Sequence, residues 1–180
     1  MKTRKALATG LAGMGLGYAL WRGWETGIEK TWTKVFGPHD LGPVDFNTLH
    51  RKARSRDSLA SARAVSPRAT PDFEPPVFRI DPDRLRAIVA EFAASEDDTM
   101  QVFADAGIRQ DRFLTRTRLL RIPGTVDVRI LDLGEGRATL AIYARSPPRG
   151  SDLGANRKRV RRWLDHITER VSRETQEAEA

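Results

Sequence analysis

The chain has 180 residues, enough for one domain with a short appendage, and no cysteine, which excludes disulfides, thiolate catalysis and Cys-based zinc sites. Its 39% hydrophobic content lies below the soluble-domain norm and its 31% charged content above it. The formal charge of +7 is uneven: residues 1–70 hold 12 Lys+Arg against 5 Asp+Glu and residues 71–180 hold 19 against 19, so the excess precedes the main domain and argues against nucleic acid as a partner.

Lys2, Arg4 and Lys5 stand before an uncharged run from Ala6 to Trp21 that carries Leu7, Leu11, Met14, Leu16 and Leu20. A basic start and a short apolar core suit a secretory signal, yet Tyr18-Ala-Leu-Trp-Arg22 offers no small-x-small cleavage site. The run is short for a full span, which takes ~20 residues. Trp21 and Trp24 at the interface would extend its reach. The expectation is an uncleaved membrane anchor through residues 6–21, at a bacterial inner membrane with the domain outside the cytoplasm. Residues 22–36 mix aromatic and charged residues as an interfacial helix does, and Gly37-Pro38 stops it.

Residues 37–76 read as a basic, Pro-containing linker. Arg51 to Arg68 carries six cations and one anion, offers little to bury, and is expected irregular and exposed. If it reaches an anionic lipid surface, each cation adds about 1 kcal/mol of attraction.

The domain itself is expected over residues 77–173. Val77–Ile80 forms a short strand, and Asp81-Pro82 then caps and opens a helix over 82–94, with Leu85, Ile88, Val89 and Phe92 on one face. Gln101–Ala104 and Phe113–Arg121 follow as strands, Pro123-Gly124 as a turn, then Val126, Val128 and Ile130 on the inner side of another strand. Gly134-Glu-Gly136 turns the chain into a last strand, Ala138–Arg145. Val160, Trp163, Leu164, Ile167 and Val171 lie at helical spacing, so a helix from about Asp152 to Arg173 covers the sheet, and residues 174–180 fray. The fold class is therefore α+β: a two-layer sandwich in β-α-β-β-β-β-α order, with an antiparallel sheet and both helices on one face.

Chemistry is harder to find. His39, His50 and His166 occur in separate contexts with no metal-ligand spacing, and no nucleophile elbow, P-loop or dinucleotide fingerprint appears. No catalytic residue, metal or cofactor is assigned. The unusual stretch is Arg145 to Trp163. Arg157, Lys158, Arg159, Arg161 and Arg162 crowd the start of a helix, the reverse of what the helix dipole favours. In one reading Asp152 caps the helix while Asp165 and Glu169 pair with Lys158, Arg161 or Arg162. In the other, Arg145, Arg149 and Arg157, with Ser151, Asp152 and Asn156, build a site for a phosphate or carboxylate, which the planar guanidinium fork suits.

Tyr143-Ala-Arg-Ser146 followed by Ser151-Asp-Leu-Gly-Ala-Asn-Arg-Lys-Arg159 resembles the signature of the DUF1499 family, a bacterial and plastid family without an assigned function. The likeness spans about residues 45–170. Asp45-Phe-x-Thr-Leu49, Pro76-Val-Phe-x-Ile80 and Asp83-x-Leu85 add to it. Pro147-Pro148 in a shortened connection and the lack of a Pro-Asn-Cys-type element depart from it. The resemblance implies a small domain, often membrane-anchored or exported, and brings no catalytic residues. The expected function is a membrane-tethered envelope module that binds an anionic lipid headgroup or a protein partner through this arginine-rich surface. An enzyme with a site between the sheet's free face and the signature loop is the alternative.

Overall fold

A computed structural model of the chain describes residues 27, 30–31, 33–35, 38–51, 56–117, 121–147 and 152–179. It divides into two units, Met1–Gly37 and Pro38–Ala180. In the first, the described residues between 27 and 35 are helical, as expected for that segment, and the apolar run at 6–21 lies outside the described residues. Among the described residues no helix is long and apolar enough to cross a membrane.

The second unit runs β1 (Asp57–Ala60), α1 (Pro82–Ser95), β2 (Thr99–Asp105), β3 (Gln110–Arg116), β4 (Pro123–Gly134), β5 (Arg137–Arg145) and α2 (Ala155–Glu179). The five strands form one antiparallel sheet in the order β1-β5-β4-β3-β2. The fold is α+β, and the sequence of element types is the expected one.

Helix α1 starts where the sequence places it. Asp81 accepts from the backbone N–H of Asp83 and Arg84 at 2.8 and 3.1 Å, and Pro82 fills a first-turn position that needs no donor. Leu85, Ile88, Val89 and Phe92 are buried against one face of the sheet. Helix α2 adds Val160, Trp163, Leu164, Ile167 and Val171 to the same apolar cluster, and β4 and β5 add Val126, Val128, Ile130, Leu140 and Ile142. Trp163 has no exposed surface and packs edge-on against Phe92 and Phe113, at centroid distances of 5.3 and 5.5 Å. Such pairs contribute about 1 kcal/mol beyond the area they bury.

Four local expectations are corrected. Val77–Ile80 is not a strand: only Phe78 bridges, exchanging backbone bonds of 2.8 and 3.0 Å with Ala138, because Pro75 and Pro76 supply no N–H before it and α1 begins at Pro82. The first strand is instead Asp57–Ala60, inside the stretch expected to be irregular and exposed. Pro123-Gly124 does not turn. Arg116 already pairs with Pro123, and just before that pair the Thr117 hydroxyl accepts the Ile122 N–H at 3.0 Å. A proline at a strand's first residue costs no ladder bond. Finally, α2 continues to Glu179, and Glu174 is held there by Arg84 at 2.5 and 3.0 Å instead of fraying.

The sheet's second face is not free. Residues 38–51 and 61–72 lie over it, next to edge strand β1. Val44, Phe46, Leu59, Val65 and Ala69 make a small cluster with Ala141 and Tyr143 of β5. Beside that cluster the contact is polar. The Gln110 side chain donates to the Val44 carbonyl at 2.8 Å, and the Leu41 N–H donates to the Thr125 hydroxyl at 3.3 Å. Residues 37–76 thus contain part of the fold and are not a linker alone.

Candidate functional site at the start of the last helix

The signature segment is built from its first residue. Asp152 accepts from the backbone N–H of Gly154 and Asn156, at 3.1 Å each, while its carbonyl accepts from Ala155 at 2.8 Å. Leu153 and Gly154 both take positive φ, which glycine adopts without cost and leucine does not. Asp152 is therefore a helix cap, and its charge offsets part of the cation crowding behind it.

Asn156 is fully buried. Its amide donates to the Arg56 carbonyl at 2.7 Å and the Ser146 hydroxyl at 2.8 Å, and its oxygen accepts from Arg159 at 2.7 Å. One side chain thus ties the start of α2 to the end of β5 and the approach to β1. Asn156 is a structural pin with no group left to offer a ligand.

Arg145 and Arg157 are held by separate partners. Arg145 points to the second face. It donates to the Leu41 carbonyl at 3.3 Å, to the Gly42 carbonyl, and to Asp127 Oδ2 at 3.0 Å. Arg157 donates to Asp72 at 3.1 Å and lies 4.7 Å from the Phe73 ring centre, with Arg161 4.8 Å from the same ring. Asp72 also accepts from Arg51, the Ser58 hydroxyl and the Leu59 N–H. Arg149 and Ser151 lie outside the described residues.

The helix pairs expected for Asp165 and for Glu169 with Lys158, Arg161 or Arg162 do not form. Arg162 reaches Glu96 at the end of α1, and Glu169 faces Arg173 at 3.7 Å.

A cleft of about 240 Å³ opens beside this segment, between the turn at residues 95–99 and Thr115, Arg116, Arg159 and Arg162. The helix register decides who faces it. Arg159 is three residues from Asn156 and four from Trp163, on the inward side, whereas Arg157, Lys158, Arg161 and Arg162 are exposed. Arg159 has one hydrogen bond, to a neutral amide. Burial, then the nearby Arg162 charge, pushes its pKa down from the ordinary arginine value. Beneath it, Gly124 of β4 faces Thr115 of β3. A Cβ at Gly124 would lie 3.2 Å from the Arg145 carbonyl, 3.3 Å from the Thr115 hydroxyl and 3.7 Å from Arg159 Nη1. Glycine there leaves the Thr115 hydroxyl and the Arg145 carbonyl uncrowded. No family model, curated protein or solved structure matches this chain.

On the second face the notable group is Asp127. It has no exposed surface, and only one of its oxygens is bonded. Burial raises its pKa to about 6, against the pull of Arg145 and Arg112. Next to it Tyr143 donates to Asp57 at 2.5 Å, and burial together with that carboxylate raises the phenol pKa well above its usual value. Residues 39–51 cover both groups, so they act as supports of the fold.

Proposed function

We propose that this protein is a membrane-tethered envelope module that binds anionic groups through the exposed start of α2. The observation that carries the reading is the charge left over there. In the first two turns Arg157 and Arg162 are each matched by a carboxylate, Asp72 and Glu96. Lys158 and Arg161 are exposed and meet no carboxylate among the described residues, and Arg159 meets only an amide. The first turn holds no acid. Several cations at the positive end of a helix are unfavourable unless something negative joins them. A lipid headgroup fits a chain tethered through residues 6–21, since tether and patch would act on one surface. The likeness to the DUF1499 family, which rests chiefly on the Ser151–Arg159 segment, is part of the same proposal.

Co-sedimentation of the full chain with vesicles tests this. Phosphatidylglycerol vesicles should bind more than phosphatidylcholine vesicles, and the excess should shrink as salt rises through the range where the Debye length falls to about 8 Å. Lys158→Glu with Arg161→Glu should erase the excess and leave phosphatidylcholine binding, the share of the tether, unchanged. An excess that survives this double substitution contradicts the reading.

A further inference from the structure

We infer that the cleft beside α2 is a binding site for a singly charged oxyanion, a phosphodiester or a carboxylate, seated on Arg159 and Thr115. The inference rests on the reading above and gives it a defined pocket. Two independent observations meet there. The first is the Arg159 guanidinium, which brings one N–H to Asn156 and lines the cleft. The second is Thr115, 3% exposed, whose hydroxyl is buried with no hydrogen-bond partner. A buried hydroxyl left without a partner costs about 1–3 kcal/mol, which a ligand oxygen recovers. The two donors border the same point above Gly124, where a Cβ would crowd the Thr115 hydroxyl at 3.3 Å and touch Arg159 Nη1 at 3.7 Å.

The rim sets the charge of the ligand. Glu96, Asp97 and Asp98 border the cleft, with Glu96 paired to Arg162 and Asp98 to Arg121 at 2.9 Å. A group with one negative charge meets Arg159 without strong repulsion from that rim. A dianion such as free phosphate above neutral pH does not. The guanidinium fork supplies parallel N–H groups for two oxygens of such a ligand, and Thr115 supplies a third contact by rotating its hydroxyl. The headgroup of an anionic phospholipid and a small soluble carboxylate share this chemistry.

Titration of the isotopically labelled full chain, followed by NMR, decides the matter with acetate, dimethyl phosphate and inorganic phosphate at pH 8. Both monoanions should shift the Thr115, Arg116 and Arg159 signals, and inorganic phosphate should bind more weakly. Arg159→Gln should lower dimethyl phosphate affinity about tenfold or more and Thr115→Val severalfold, as loss of a charged and a neutral hydrogen bond predicts. Should Arg159→Gln fail to fold, Thr115→Val alone decides, because it keeps the shape of the side chain. Unchanged affinity in that variant, tighter binding of the dianion, or no shifts at all would overturn the site.

Phosphatidylglycerol vesicles that displace dimethyl phosphate identify a lipid headgroup as the source. Vesicles that leave it bound identify a soluble one. The two proposals fail separately. If the Lys158/Arg161 double substitution abolishes the lipid preference while no small anion titrates the cleft, the site falls and the surface stands. If small anions titrate the cleft while lipid preference survives that substitution, the surface falls and the site stands.

Discussion

On the helix side of the sheet, Trp163, Phe92, Phe113 and Leu140 bury apolar area with few directional demands. On the other side, Arg145, Gln110 and Thr125 hold the covering segment by individual hydrogen bonds to its backbone, and Asp127 in turn holds Arg145. Burial on the first side adds up with area, roughly 25 cal/mol per Å², and tolerates changes of pH. Attachment on the second side combines a smaller apolar cluster with a few charged groups, one of them a carboxylate that water does not reach. A buried ion pair contributes little net stability, yet breaking one costs much, because the surviving charge stays buried. The same sheet thus has one face sensitive to volume and one sensitive to proton binding.

Truncating the largest side chain of the apolar face should give the largest loss. Trp163→Ala is expected to cost about 3–5 kcal/mol in urea unfolding, by nearly the same amount at pH 5 and pH 7. A cost that changed strongly between those values would erase the contrast between faces.

Arg145→Met attacks the second face. It removes the partner of Asp127 and the donor to two carbonyls, and should cost about 3 kcal/mol or more at pH 7. At pH 5 the loss should be smaller, because protonated Asp127 no longer needs the guanidinium. Equal losses at both values would mean that Arg145 acts through packing alone.

Asp127→Asn isolates the proton. The folded pKa of about 6 lies above the ordinary 3.8, so the native state holds this proton more tightly than the unfolded chain does. That contribution is present in full below 3.8 and disappears as pH rises through 6. Glu174 acts with the opposite sign, being held below its ordinary 4.5 by Arg84, so the window from about pH 4.5 to 6 belongs to Asp127. The wild-type chain should lose on the order of 2 kcal/mol across the Asp127 transition, and the asparagine variant should show a flatter profile. A wild-type profile without that slope would show that water reaches the carboxylate.

The apolar face was legible in the sequence because it is periodic. Leu85 to Phe92 and Val160 to Val171 announce helices, Val126 to Ile130 and Leu140 to Ile142 announce strands, and Asp81 and Asp152 stand as caps where residue type suggests them. The second face has no period to read. Strand β1 is four residues with one large apolar side chain, and its neighbour Arg51, read as a solvated cation, is bound to Asp57 and Asp72 at 2.8 Å each. Such contacts follow no helical or strand period, and nothing in local spacing encodes them.

The site shows the same division. Crowded arginines at the start of α2 stand out in the sequence, but closeness in sequence groups Arg145 with Arg157, and their partners separate them. Arg159 was the informative one. It is a cation on the stripe that carries Asn156, Val160 and Trp163, and a charge on an inward stripe points to a cleft or a buried partner. Gly124 gave no such signal, since its closeness to Arg159 exists only after β3, β4 and α2 assemble.

Vesicle binding by the chain without residues 1–37, which leaves the compact unit from Pro38 to Ala180, separates the domain from the tether. If anion recognition belongs to the domain, this form should prefer phosphatidylglycerol over phosphatidylcholine, lose that preference in high salt, and lose it again on Lys158→Glu with Arg161→Glu. A folded domain that ignores phosphatidylglycerol at low salt would contradict the account and move the affinity for membranes to the N-terminal segment alone.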